Sequence, residues 1–218
     1  MIVVGPSHGD ERGTELSADT SFGFLDAQPD DRAYVGQPAG QADVVVMKRL
    51  ARGEPAALGE LMETYWAGLV QYATVLIGCR DAGEDVAQAV FVHVWETRRR
   101  WTESGSVAGY LYRIARNLSV ARTRHEAVRA RRRPDILRIL PLARSPLEAS
   151  QHTELEDALG EALRALPARR REAFELVRCQ GLSLADAGAV MGVSRRTVAN
   201  HLYLAALDLA ERLRRFRD

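Results

Sequence analysis

The sequence predicts an all-α chain: two small helical domains joined by a flexible linker. Three observations lead there. Apolar residues return at steps of three and four through most of residues 43–124, and again from about residue 152 to residue 213. Between those stretches, Glu126 to Ser150 carries prolines at positions 134, 141 and 146; each removes an N–H and crowds the preceding turn, so a helix does not run through them. Near the C-terminus, Ser183 to Leu209 reads as two helices meeting at a tight turn. The expected boundaries are an extension over 1–41, a first domain over 42–125, a linker over 126–151 and a second domain over 152–218.

A chain of 218 residues with 46% hydrophobic content can fill two small cores. Its formal charge of +1 conceals a gradient: residues 1–42 hold 2 basic and 7 acidic side chains, whereas 126–150 hold 6 and 3. A modestly basic body with an acidic leader suits a protein that touches nucleic acid on chosen faces. No run approaches the roughly 18 to 20 apolar residues of a membrane span, and the start MIVVGPSHGD lacks the basic and apolar regions of a signal peptide. A cytoplasmic protein without membrane insertion is expected. Cys79 and Cys179 stand far apart with no CxxC, and are read as buried thiols rather than a zinc site or a disulfide. The histidines His8, His93, His125, His152 and His201 do not cluster with carboxylates or cysteines, and no Gly-rich phosphate loop follows a strand. No catalytic residue, metal or cofactor is therefore expected, and the chain is not read as an enzyme.

Taken in order, residues 1 to about 41 are rich in Gly, Asp, Pro, Ser and Thr and show no sustained period. Such a segment cannot bury enough apolar surface to offset the entropy of ordering, and it reads as a disordered acidic extension. A short helix follows from Asp43 to Ala51. Pro55 then fits the first position of a long helix in which Leu58, Leu61, Met62, Tyr65, Leu69, Tyr72 and Leu76 make the core face, with Gly78 as its stop.

Asp81 to about Arg100 is the next helix. Val86, Val90 and Val94 form one apolar line, which Phe91 and Trp95 widen beyond what an internal core needs. With Asp85 and Gln88 alongside, this face is expected to meet another protein, Trp95 serving as an anchor. Arg98, Arg99 and Arg100 close the helix, where they suit its negative end.

A polar loop, Trp101 to Ser106, leads into a helix from Val107 to Arg124 with Val107, Leu111, Ile114, Leu118 and Ala121 facing inward. Its flank carries Arg113, Asn117, Val120 and Arg124 in one stripe, and Trp101 and Tyr110 lie near its start. Arginines can track a backbone while rings stack on, or pocket, an unpaired base. Core aromatics beside a solvated arginine face are the competing reading. Glu126 to Ser150 reads as a linker; its cluster Arg129, Arg131, Arg132 and Arg133 suits contact with nucleic acid or acidic protein, or a solvated extension of the preceding helix.

Helical period resumes near His152 with Leu155, Leu159, Leu163 and Leu166, breaks at Pro167, and continues from Arg169 to Gln180 with Phe174 and Val177 as core. In the pair of helices that follows, Ser183 can cap the first, Asp186 can answer the cap's own N–H, Gly192 can take the left-handed turn, and Ser194 can cap the second. The second helix places Val198, Leu202, Ala205, Leu209 and Leu213 on one apolar stripe. Arg196, Asn200 and Tyr203 point the other way, with Arg195 at the flank. Arg can fork onto guanine O6 and N7, Asn can pair with adenine, and Tyr can reach a phosphate or a thymine methyl, so this is a helix-turn-helix candidate for duplex DNA.

The order of these pieces resembles a bacterial RNA polymerase sigma factor of the extracytoplasmic-function group, with regions 2 and 4 only. The likeness rests on Glu84 to Phe91 (EDVAQAVF) with Trp95, on Tyr110 to Leu118 (YLYRIARNL), on Ala165 to Phe174 (ALPARRREAF) and on the helix-turn-helix. It implies a promoter-specificity subunit whose Asp85, Gln88, Phe91 and Trp95 dock on the β′ clamp helices of core RNA polymerase, while the second domain rests on the β flap. Trp101, Ser104, Tyr110, Arg113, Arg116 and Asn117 would take the opened −10 element, and Arg195, Arg196, Thr197, Asn200 and Tyr203 the duplex −35 element. An anti-sigma factor is a further partner the resemblance allows. A stand-alone helix-turn-helix regulator of duplex DNA is the alternative. Ala187 and Gly188 depart from the usual pattern of a larger apolar residue and Ala, and the acidic extension, not usual in the family, is read as regulatory or autoinhibitory.

Overall fold

The computed structural model describes residues 40–102, 105–132 and 154–214. Among them stand eight α-helices and no strand: α1 Gln41–Ala51, α2 Pro55–Ile77, α3 Arg80–Thr97, α4 Val107–Arg132, α5 Glu154–Arg164, α6 Ala168–Phe174, α7 Leu184–Met191 and α8 Arg195–Arg212. A 3-10 turn, Arg98–Arg100, follows α3, and a π-helical turn, Glu175–Cys179, follows α6.

Local chemistry sets the boundaries. Pro55 opens α2, where its missing N–H is no loss, and Gly78 ends it at φ 88°, a left-handed position that favours glycine. Ser106 Oγ accepts from the Gly109 N–H at 2.9 Å near the start of α4. That helix continues past Arg124 to Arg132, into the stretch assigned to the linker, because Glu, Ala and Arg are good helix formers and the first proline stands only at 134. The rest of the linker, the extension over 1–39 and the last four residues lie outside the described residues.

The expected core positions are largely the observed ones. Leu61, Leu69 and Tyr72 of α2, Val86, Val90 and Val94 of α3, and Val107 and Leu111 of α4 are buried in one cluster. Removing each such aliphatic side chain from water contributes about 1.5–3 kcal/mol. Met62 and Ala121, expected inside, are exposed, each sitting at the margin of its stripe. The cluster does not stop at the end of α4. Ala173, Leu176, Val177, Leu182, Leu184, Ala187, Val190, Met191 and Val198 belong to it as well, so the helices after the linker share a core with those before it. A satellite cluster of Ala162, Leu166, Ala205 and Leu209 holds α5 against α8, and Arg170 Nη1 bonds Asp208 Oδ2 at 2.7 Å between α6 and α8.

Polar bonds join the same helices across the seam. The Tyr72 hydroxyl donates to Glu172 Oε1 at 3.2 Å, and Arg116 Nε donates to the same oxygen at 2.6 Å. Arg169 Nη1 bonds the other carboxylate oxygen at 3.1 Å. Glu172 needs these partners: its side chain is 6% exposed, and an unpaired buried carboxylate is costly. The π turn, marked by the Gln180 N–H to Glu175 carbonyl bond at 2.9 Å, sets Gln180 toward α4. There Gln180 accepts from the Tyr112 hydroxyl at 2.7 Å and donates to Glu175 Oε1 at 2.7 Å. Tyr72 and Tyr112 meet edge to face, 5.4 Å between centroids.

Candidate nucleic-acid interface

The α7–α8 pair is built as its residues dictate. Ser183 Oγ accepts from the Asp186 N–H at 3.0 Å and its hydroxyl donates to Asp186 Oδ2 at 2.8 Å, so Asp186 answers the hydroxyl rather than the cap's own N–H. Gly192 ends α7 at φ 68°, and Ser194 Oγ accepts from the Thr197 N–H at 3.1 Å. Gly188 has a specific reason: a Cβ there would lie 2.8 Å from the Val193 carbonyl oxygen. The tight turn thus requires the glycine that is otherwise unfavourable inside a helix.

On α8, Val198 and Ala205 are fully buried and Leu209 is 8% exposed, which fixes the helix by its apolar stripe. The opposite face carries Arg196, Asn200 and Tyr203, with Arg195 at its flank, all exposed, and Thr197 half-buried beside the cap. Tyr203 shows 54% of its surface. This face presents one guanidinium fork, one carboxamide and one phenol within two turns, a set able to read base edges and phosphates of a duplex.

The aromatic and arginine flank of α4 divides. Arg113, Asn117, Val120 and Arg124 are exposed in one stripe. Trp101 and Tyr110 are half-buried against the core, Tyr110 with its hydroxyl 3.3 Å from Thr97 Oγ1. Arg116 points elsewhere, into the Glu172 pair, with its side chain 19% exposed. Ser104 lies outside the described residues. Arg113 and Asn117 therefore share an open face, whereas Arg116 is withdrawn from it.

The expected partner face of α3 is narrower than its sequence suggests. Phe91 is 3% exposed and stacks on Trp66, 6.2 Å between centroids. The helix buries its widened stripe because α2 supplies a ring to receive it. Phe91 is thus part of the core and offers no surface to a partner. Asp85 and Gln88 are exposed; Asp85 accepts from Arg122 Nη1 at 3.0 Å. Trp95 is half-buried under the Arg98 guanidinium, 4.0 Å from the ring centroid.

Burial pushes three tyrosine hydroxyls above their ordinary range. Asp43 adds to the effect at Tyr65, Glu172 at Tyr72 and Glu175 at Tyr112. Both cysteines are exposed, against the expectation of buried thiols. The Cys179 thiol is nonetheless pushed up to about 12 by local desolvation and then by the Glu175 carboxylate. Among the described residues no group of His, Cys, Asp and Glu could hold a metal ion, and no helix is long and apolar enough to cross a membrane. Sequence reasoning missed the seam residues Tyr112, Glu172, Glu175 and Gln180. The signal available was a polar residue on each side of an otherwise apolar pattern, which names no partner.

The chain matches two families: Sigma-70 region 2 over residues 61–133 and Sigma-70, region 4 over residues 156–209. It is similar to the ECF RNA polymerase sigma factor SigF of Caulobacter vibrioides, 31% identical over 142 residues that cover 61% of this chain and 71% of that protein. It is also similar to the ECF RNA polymerase sigma factor BldN of Streptomyces coelicolor, 27% identical over 183 residues, covering 81% of this chain and 69% of that one. In fold it resembles the sigma factor RpoE of Bartonella quintana, solved with the anti-sigma factor NepR, at a TM-score of 0.57 and 22% identity, covering 80% of this chain and 95% of that one.

Proposed function

The chain belongs to the ECF group of RNA polymerase sigma factors, and from that premise we propose which of its surfaces do the work of a promoter-specificity subunit. It is a promoter-specificity subunit of RNA polymerase, not a stand-alone regulator. In our reading, residues 42–125 with the α4 extension form the part that binds polymerase and the opened −10 element, and residues 152–218 the part that reads the −35 duplex.

The exposed polar face of α8, set opposite its buried stripe, carries this reading. Arg196 and Asn200 read base edges in the major groove, Arg195 and Thr197 hold phosphates, and Tyr203 reaches a phosphate or a thymine methyl. On the first half, Arg113 and Asn117 track the non-template strand from the open face of α4, and Ser104 joins them. Trp101 and Tyr110 offer ring edges to an extruded base. Arg116 joins them once Glu172 releases it. Asp85 and Gln88 of α3 contact the β′ clamp helices, with Trp95 at the rim and Phe91 acting through the packing of α3; the second half rests on the β flap.

The chain itself supplies no bond-making chemistry; the polymerase does. Binding energy from duplex contacts and from the captured base offsets the few kcal/mol of unstacking that opens the bubble. An anti-sigma factor is a fitting partner, since the RpoE structure of similar fold holds one. Gel filtration of the chain with core polymerase tests the docking face. Co-elution is expected for the wild type, weakened by at least tenfold in Asp85→Ala/Gln88→Ala; equal retention by the double variant contradicts the assignment.

A further inference from the structure

We propose that Thr97 fixes the hydrogen-bond polarity of Tyr110 and, through it, a base preference at one position of the −10 element. The phenol oxygen, its proton committed to Thr97, offers an incoming base lone pairs only. It then selects adenine or cytosine, which carry an exocyclic amine, over guanine and thymine, which carry a carbonyl there. The proposal rests on the promoter-subunit reading given above, in which Tyr110 meets an extruded base, and names the class of base that this site takes.

The count of protons fixes the polarity. Thr97 is the last residue of α3, and its hydroxyl lies 2.7 Å from the His93 carbonyl oxygen, one turn back. A carbonyl oxygen only accepts, so that bond takes the one hydroxyl proton Thr97 has. The Tyr110 hydroxyl stands 3.3 Å from Thr97 Oγ1. With the threonine proton spent, the bond between the two hydroxyls runs from Tyr110 to Thr97, and the phenol has no second proton to give.

The same contact places the ring. Tyr110 lies in the first turn of α4, where its N–H donates to the Ser106 carbonyl at 3.0 Å and the Gly109 N–H donates to Ser106 Oγ at 2.9 Å. Its backbone is tied within the turn and its phenol across to α3. Thr97 and Tyr110 are each half-buried, so the pair sits at the rim of the core rather than inside it. At the ring position where adenine carries N6 and cytosine N4, guanine carries O6 and thymine O4. An amine there donates to the phenol oxygen, whereas a carbonyl sets lone pairs against lone pairs. A tyrosine hydroxyl free to turn would accept from the one and donate to the other, and so would not discriminate. Thr97 is thus a positioning residue that acts on the base through Tyr110.

Base substitution in a promoter tests the assignment. A promoter recovered from a genomic fragment library with core polymerase and the wild-type chain is remade with all four bases at each −10 position, and run-off initiation is compared. The wild type is expected to use adenine or cytosine at least about threefold better than guanine or thymine at one position, the effect of one net hydrogen bond. Thr97→Val keeps the shape and removes the acceptor; it should abolish that preference and leave the other positions as they were, and Thr97→Ser should restore it. In a Tyr110→Phe background, which has lost the preference already, Thr97→Val should change nothing further. The proposal is overturned, with the promoter-subunit reading intact, if the wild type shows no such split or if Thr97→Val keeps the wild-type ratio. It is equally overturned if Thr97→Val lowers initiation alike at every position and base, or if Thr97→Ser behaves as Thr97→Val. A wild-type chain that starts no transcript overturns that reading, and the proposal with it.

Discussion

Arg116 on α4 and Glu172 on α6 meet at 2.6 Å, the arginine side chain 19% exposed and the glutamate 6%. They stand 56 residues apart in the chain and on opposite sides of the proline-bearing stretch. Removing Glu172 leaves the largely buried Arg116 charge without this partner, a loss of up to about 3–5 kcal/mol, whereas removing Arg116 costs less, since Arg169 still pairs with Glu172 at 3.1 Å.

The tyrosines around this pair make the fold sensitive to alkali. Tyr65, Tyr72 and Tyr112 have folded pKa values raised above the unfolded value near 10. The unfolded chain therefore loses these protons first. Their stabilisation is complete below about pH 10 and is lost as pH rises through the folded values, by about 1.4 kcal/mol per pH unit for each tyrosine. Thermal midpoints followed by circular dichroism should be flat between pH 7 and about 9 and fall steeply above pH 10. Tyr72→Phe should show a shallower fall, and an equal slope would remove Tyr72 from the account.

Gly188→Ala should destabilise the protein, although Ala is the better helix former by ~1 kcal/mol. The new Cβ would lie 2.8 Å from the Val193 carbonyl, a backbone atom that cannot rotate away. A net loss of about 1–3 kcal/mol is expected, the range of overpacked sites, read as a lower denaturant midpoint with unchanged m-value. Stabilisation by this substitution would mean that the turn is looser than described.

The two kinds of contact on α8 should separate by salt dependence. Arg196→Ala and Asn200→Ala should each lower affinity for the cognate −35 duplex by about 1–3 kcal/mol and relax base preference at one position. Arg195→Ala should weaken all duplexes alike and reduce the salt slope by about one. Holoenzyme footprinting across a salt series distinguishes these patterns, and a uniform effect of all three would assign the whole face to the backbone.

The cysteines differ in reactivity for a local reason. Both reach solvent, yet the Cys179 thiol is raised to about 12 beside Glu175. Its thiolate is scarce at neutral pH, so iodoacetamide at pH 8 should label Cys79 well before Cys179. Glu175→Gln should speed the reaction at Cys179; labelling of Cys179 first would contradict this ordering.

Where structure follows from neighbouring residues, the sequence made it readable. Pro55 and Gly78 bracket α2, Ser183 and Ser194 accept from Asp186 and Thr197, and the stripe from Val198 to Leu209 is buried as its period requires. The exposed Arg196 and Asn200 follow from that stripe alone. Three features were not readable, because each depends on a residue far away in sequence. Phe91 is internal because Trp66 stacks on it. Arg116, expected at the −10 element, turns inward because Glu172 receives it. Tyr112 is buried because Gln180, 68 residues on, accepts its hydroxyl. Period and capping describe one helix at a time, whereas a seam between two groups of helices is written in pairs.

Run-off transcription decides whether this chain directs polymerase to promoters. Purified core RNA polymerase is given a fragment library of the source genome, with and without this chain, and transcript starts are mapped. New start sites that appear only with the chain and share two spaced upstream motifs are expected, and they should disappear with Arg196→Ala/Asn200→Ala. A chain that binds duplex DNA but neither binds core polymerase nor creates a start site would contradict it.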